Sequence, residues 1–281
     1  MSKKIIIALT LLSKLCWGTE PPWPPASVDK PAQGRRPASK PATKPAGKNF
    51  KLPGLVINFQ QRCVDLEGVV CLRQGLLELI ACTKGTKEHE SIVVIKARPA
   101  HIHVALLLLG AKNGNPAMRK PTNEEGTRWI DIPPKGDPVD VYLVFKGKKG
   151  KMVERPISDF VAPAERKPDE KVGAKNGNAA KDPEFPHTFL FAGSLVRRQG
   201  QGPRKYLSDL SGNVISVVTF GDELLCLPGI HGQGDDSLMW RVDATGLPAI
   251  GTKVTLRLRP KRKPAPKAGK ADLPRSVRAR E

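Results

Sequence analysis

Thiol, imidazole and carboxylate side chains gather in one stretch of this 281-residue chain, CLRQGLLELIACTKGTKEHES from Cys71 to Ser91. Cys82 and His89 are soft and borderline donors, Glu90 adds a carboxylate oxygen, and Cys71 lies one strand away, a set that zinc or copper would accept. CxxC and HxxxH spacings are both missing, so a metal or thiol-redox site there needs separate elements to converge. Structural roles are the commoner fate of such motif-poor residues. Lys84, Gly85 and Lys87 of the loop TKGTKEHE form a second candidate, an anion-binding loop, beside the simpler reading of a solvated hairpin tip. Further along, IHGQGDDS sets His231 near Asp235 and Asp236, compatible with a cation and equally with a surface loop.

The usual catalytic signatures are not spelled out. The G-x-S-x-G, HExxH, P-loop and GxGxxG patterns do not occur in context, and Ser194 and Ser211 flank glycines with no evident base. Enzymatic activity is therefore unsupported by motif, which favours a binding module.

Lys3 and Lys4, the eight-residue segment Ile5 to Leu12, and the small residues Cys16 and Gly18 make an export leader, with cleavage expected near Gly18. Eight residues span about 12 Å as a helix, far short of roughly 30 Å of hydrocarbon. No later apolar run exceeds Val104 to Leu109, so the mature chain is expected to lack a transmembrane anchor and to work in the periplasm or outside the cell. An oxidising compartment makes Cys63, Cys71 and Cys82 candidate disulfide partners. A tight loop at Leu66 to Gly68 would set Cys63 across from Cys71, whereas Cys71–Cys82 needs Cys71 on a returning segment.

Charge separates body from ends. Residues 1–51 and 257–281 each carry 10 Lys/Arg against 2 Asp/Glu, so +16 of the formal +20 sits in the ends and +4 between them. Proline every few residues among Lys, Ala and Ser predicts disordered basic arms at 19–51 and 261–281. Such arms suit an anionic envelope polymer and, more weakly, nucleic acid, or serve as solvated spacers.

The positioning elements are mostly strands. LVINFQQ, a turn at DLEG and VVCL read as one hairpin, GLLELIAC and SIVVIKA as a second. AHIHVALLLLG is a short helix entered at Pro99 and closed at Gly110. Strands resume at WIDI, VYLVFKG and MVERPISDFV, then pause over a polar insertion at 163–184. They return in HTFLFAGSLV, VISVVTF, SLMWRVDA and GTKVTLRLR. The expected fold is α+β, a predominantly antiparallel sheet with one or two short helices.

From about Leu52 to Pro260 the chain resembles the YdjY-like family of exported bacterial proteins. The resemblance is carried by CLRQGLLELIACTKGTKEHESIVVIKARPAHIHVALLLLGAK, FLFAGSLV, DLSGNVISVVTF and IGTKVTLRLRP. It implies one domain over 52–260 but little mechanism, because the family is functionally uncharacterised. A ferredoxin-like label on some members would imply an iron–sulfur cluster. Here no two of Cys63, Cys71, Cys82 and Cys226 lie closer than eight residues, so the cluster runs of C-x2-C type are missing.

The leading expectation is an exported, non-enzymatic binding or scaffolding module of the envelope, in contact with an anionic polymer or another exported protein and needing no cofactor. The alternative is a metal or thiol-redox protein with its site at Cys82 and His89.

Overall fold

A computed structural model describes residues 49–164, 184–198, 202–234 and 238–261. The expected leader, nearly all of the N-terminal arm, the interior of the insertion, the C-terminal tail after Lys261, and Asp235 and Asp236 lie outside the described residues.

The strands, in chain order, begin with β1 Phe50–Leu52, β2 Leu55–Asn58, β3 Cys63–Val70, β4 Leu79–Thr83 and β5 Ser91–Ile95. After α1 Pro99–Leu108 come β6 Asn113–Asn115, β7 Met118–Pro121, β8 Trp129–Ile132, β9 Lys135–Gly136, β10 Pro138–Lys146, β11 Met152–Pro156 and β12 Val161–Pro163. The last part holds β13 Thr188–Leu190, β14 Val196–Arg198, β15 Arg204–Tyr206, α2 Leu207–Ser211, β16 Asn213–Ser216, β17 Leu225–Cys226, β18 Trp240–Val242 and β19 Lys253–Pro260.

The main sheet closes on itself. Its path runs β3-β19-β10-β13-β17-β16-β4-β5, and β5 pairs back onto β3, giving an eight-stranded barrel. This corrects the expected α+β, predominantly antiparallel sheet: the fold is all-β in character, with helices of only ten and five residues. Nor is the ring purely antiparallel, since β4–β5 and β16–β17 pair in parallel. Alternating polarity shows which residues face inward but not which edges meet, so closure is invisible to the sequence pattern.

Closure depends on the eight-residue β3. One edge of β3 is taken by β19 along nearly its whole length, and the other is divided between β2 at Cys63–Leu66 and β5 at Gly68–Val70. The changeover falls at Gly68, where a Cβ would lie 2.6 Å from Val93 Cγ1 and 3.2 Å from the Val94 carbonyl oxygen. A residue with a side chain could not approach β5 so closely. Gly54 performs the same service for the β1–β2 turn, where a Cβ would meet Ala97 N at 2.7 Å.

The DLEG segment, expected as a turn, is therefore strand. Val64, Leu66, Gly68 and Val70 are buried while Asp65, Glu67 and Val69 face outward or sideways. Asp65 tolerates that face because Arg257 of β19 grips it through two bonds of 2.6 and 2.8 Å. Arg257 also donates to Glu154 of β11 at 2.7 Å, and Arg259 meets the same carboxylate at 2.8 Å, so one ion-pair chain ties β3, β19 and β11 together across β10. Bidentate guanidinium pairs that are largely shielded from water are the kind that contribute measurably to stability. The true turn is at residues 59–62, where Asn58 Oδ1 accepts from Gln61 N and Arg62 takes φ +52°.

Inside the ring, Leu66, Val93, Val139, Leu143, Phe189, Ile215, Leu225 and Leu256 are fully buried, forming one continuous core. Helix α1 joins it through Ile102, Ala105 and Leu106, while Leu108 is 53% exposed. Burial at roughly 25 cal/mol per Å² makes this core the main favourable term in folding.

Replacing Gly68 by Ala forces a methyl against the stiff, buried Val93 side chain, an overpacking that costs on the order of 1–3 kcal/mol. The urea midpoint of Gly68→Ala is expected to fall accordingly, and a midpoint equal to wild type would show that the two strands are not packed at that distance.

Candidate functional site: the crossover loop and the cleft beside it

The crossover from β4 to β5 rearranges the residues the sequence brought together. In a hairpin Cys82 and His89 would flank one turn. Parallel pairing sets Leu79 opposite Ser91 and Cys82 opposite Val94, so residues 84–90 must run back along the strands and His89 ends near the level of Leu79. Cys82 is fully buried, whereas the His89 side chain is 74% exposed, its Nε2 3.5 Å from Glu90 Oε1. Among the described residues no group of three or more His, Cys, Asp or Glu side chains is placed to hold a metal ion.

The thiols are separate too. Cys63, Cys71, Cys82 and Cys226 are all free. Cys63 and Cys71 bracket one continuous strand, about 26 Å apart at 3.3 Å per residue, well beyond the ~7 Å that a disulfide spans between Cα atoms. The DLEG turn that would have paired them does not exist. Cys71 and Cys82 both flank β5, which puts about 10 Å between their backbones. Ser91 lies between them, its carbonyl oxygen 3.0 Å from Cys71 Sγ. Burial first, then the neighbouring Cys82 and Glu88 charges, push the Cys71 thiol up to about 12. Burial also raises Cys63, Cys82 and Cys226, so all four disfavour the reactive thiolate.

The loop's candidate anion ligands serve the loop itself. Gly85 takes φ +81° and its N–H donates to Glu88 Oε1 at 2.6 Å, a bond that holds the Glu88 carboxyl below its usual range. Lys84 is exposed. Lys87 Nζ is 3.2 Å from Glu78 Oε2 and 3.6 Å from the centre of the Phe220 ring. Glu90 is raised by burial and by its bond to Glu78.

Phe220 leads to the feature that sequence reasoning missed. A cleft of about 790 Å³ opens between the β7–β8 hairpin, the β14–β15 hairpin and the segments around Thr219–Asp222 and Ile230–Gln233. The size falls within the range of small-molecule sites. Its surface is largely apolar, with Met118, Leu195, Leu207, Phe220 and Ile230, and carries Arg119, Asp131, Arg197, Asp222 and His231. Lys87 stacked on Phe220 makes the crossover loop a support for the cleft wall rather than a site of its own.

A buried polar network fixes the wall from behind. The corner Gly193–Ser194 has φ of +88° and +52°, a left-handed pair that costs about 1 kcal/mol or more at the serine. Gly193 is required there, because a Cβ would lie 2.6 Å from Asn113 Cβ. Two backbone bonds hold the corner, Gly193 N to Leu224 O at 2.9 Å and Ser194 N to Glu223 O at 3.0 Å. Ser194 Oγ donates to the Asp222 carbonyl and accepts from Ser208 N at 3.1 Å. Tyr206 donates to Gly193 O at 2.9 Å, and His103 Nδ1 lies 2.9 Å from the Tyr206 hydroxyl. Burial keeps His103 below the usual histidine range and raises Tyr206.

Asp222 joins network and cleft. Its carboxylate accepts from Asn213 Nδ2 at 2.6 Å and its N–H donates to Glu223 Oε2 at 2.8 Å. Glu223 is fully buried, and its Oε1 has no partner among the described residues. Burial raises its carboxyl above the ordinary glutamate range, which favours the neutral acid. The His231 ring is likewise engaged, with Nε2 2.8 Å from Pro228 O. The FAGSLV and TFGDELL segments carried this network in plain view. Read along the chain, FAGSLV continues a strand pattern, and nothing in the spacing of the two segments shows that both edge one cleft.

Fold and site together define a closed β-barrel protein bearing a largely apolar cleft whose walls carry both arginine and aspartate side chains. The particular family follows from comparison: the YdjY domain model matches residues 55–259, nearly the whole body and well over half of the chain, so the chain belongs to the YdjY family. No curated protein and no solved structure matches it. Among the described residues no helix is long and apolar enough to cross a membrane.

Because the folded state holds Glu223 neutral more firmly than the unfolded chain does, its contribution to stability is complete at low pH. That contribution is lost as pH rises above the ordinary glutamate value of about 4.5. Glu223→Gln keeps an acceptor for Asp222 N and removes the titration. Urea unfolding from pH 5 to 8.5 is expected to show a smaller decline for the variant than for wild type; parallel curves would mean that Glu223 ionises freely.

Proposed function

We propose that this chain is an exported, non-enzymatic binding module of the cell envelope whose ligand seats in the cleft beside β7–β8 and β14–β15. The observation that carries the reading is the use made of the polar groups around the cleft. Ser194 Oγ, the Asp222 carboxylate and the His231 ring are each committed to bonds that hold the wall. A rigid, largely apolar seat is what binding needs. Export rests on the leader-like first 18 residues, and the two basic arms supply salt-sensitive contact with an anionic envelope polymer.

The metal or thiol-redox alternative draws less support. Its key pair, Cys82 and His89, is divided between core and solvent, and the thiols are held protonated.

Gly232 is an exposed position on the cleft lining, so Gly232→Trp fills the space without entering the core. Native mass spectrometry of chain recovered from its own envelope fraction is expected to find an N-terminus near Thr19 and a small molecule bound one to one, which Gly232→Trp releases. A bare chain, or a ligand indifferent to Gly232→Trp, contradicts the seat. Deleting residues 19–50 and 261–281 is expected to weaken retention on isolated anionic envelope polymer by about tenfold or more at low salt, as loss of many cationic contacts requires. Equal retention contradicts the role of the arms.

A further inference from the structure

The β14–β15 hairpin beside the cleft is arranged against its own electrostatics. Register across the β14–β15 hairpin sets Arg197 opposite Lys205 and Arg198 opposite Arg204, so four like charges face each other in two adjacent pairs, all on exposed residues. Like charges directly opposite in a sheet repel. No carboxylate among the described residues pairs with Arg197, whose side chain forms part of the cleft wall. An anion at Arg197 would relieve that repulsion, and the planar guanidinium fork suits a carboxylate or phosphate.

Neither acidic group of the cleft occupies Arg197. Asp131 is neutralised by Arg119 at 2.9 Å, and the Asp222 carboxylate is held by the Asn213 amide. Beside Arg197 the lining turns apolar. Met118 and Ile230 are 37% and 48% exposed, an uncovered hydrophobic surface beside charge. The chain's own arms are poor occupants, since their excess of Lys and Arg would be repelled by the hairpin.

We infer that the cleft takes an amphiphilic anion as a single molecule, its carboxylate or phosphate head on Arg197 and its apolar stem across Met118, Leu207, Phe220 and Ile230. This rests on the cleft being the seat proposed above. The volume of about 790 Å³ suits one ligand of drug-like size and favours a monomer over a bilayer face.

Isothermal titration of the full chain tests it with dodecyl phosphate below its micelle-forming concentration, beside dodecyl maltoside and inorganic phosphate. Dodecyl phosphate is expected to bind one to one, about tenfold or more tighter than either control. Arg197→Gln should weaken it about tenfold, and Ile230→Asn several-fold. Both positions are exposed, so the variants should unfold at the wild-type urea midpoint. Dodecyl maltoside binding as tightly as dodecyl phosphate, or dodecyl phosphate binding that is unmoved by Arg197→Gln, overturns the anion inference. If Ile230→Asn still weakens dodecyl maltoside in that case, the cleft remains a seat for a neutral ligand. Failure of all three probes overturns the inference, while the envelope-derived mass and its response to Gly232→Trp decide the seat independently.

Discussion

The pairing of β3 with β5 makes this molecule a barrel. Without it, the strand path would be an open sheet with β3 and β5 edges bare, a liability that closure removes. The contact rests on a single missing side chain, since Gly68 brings its backbone to where a Cβ would touch Val93. β3 can serve two partners on one edge because its first half takes β2 and its second half takes β5. The Arg257 ion-pair chain then locks the opposite edge across β19, β10 and β11.

The rest follows from closing the ring by way of β4 and β5. Parallel pairing of these strands demands a return crossover, and residues 84–90 make it with their polar groups turned inward on one another. Lys87 reaches from that crossover to Phe220, linking closure to the cleft wall. On the far side of β16 the chain uses a buried carboxylic acid and a left-handed serine to turn from β13 towards β14 and to hold Asp222. Strain and a fully buried carboxyl group are costs that a purely structural corner would shed. A rigid wall beside a cleft is a reason to keep them.

How much of this was legible in the sequence depends on the scale of the contact. Strand character at 55–58, 79–82, 91–95 and 253–260 was legible from alternation and β-branched composition, and the family from the run between Cys71 and Lys112. Asp65-Leu66-Glu67-Gly68 has the composition of a turn yet is strand, because its polar residues face Arg257 and its glycine faces Val93, partners about 190 and 25 positions away that no local pattern reveals. The same limit misplaced the site. Cys82 and His89 are near in sequence and belong together only if β4 and β5 are antiparallel; the sign of that pairing is set by the whole ring. Conversely Arg119, Arg197 and Asp222 lie far apart in the chain and meet only through the fold.

Backbone contacts between β3 and β5 test the account most directly. Two-dimensional NMR of the isotope-labelled chain is predicted to show cross-strand nuclear Overhauser contacts between Val69 and Val94 and between Gly68 and Ile95, with the amides of these segments slow to exchange with deuterium. A chain that shows the β3–β19 contacts but lacks these, with rapid exchange along the second half of β3 and along β5, would be an open sheet and would contradict the barrel on which the cleft depends.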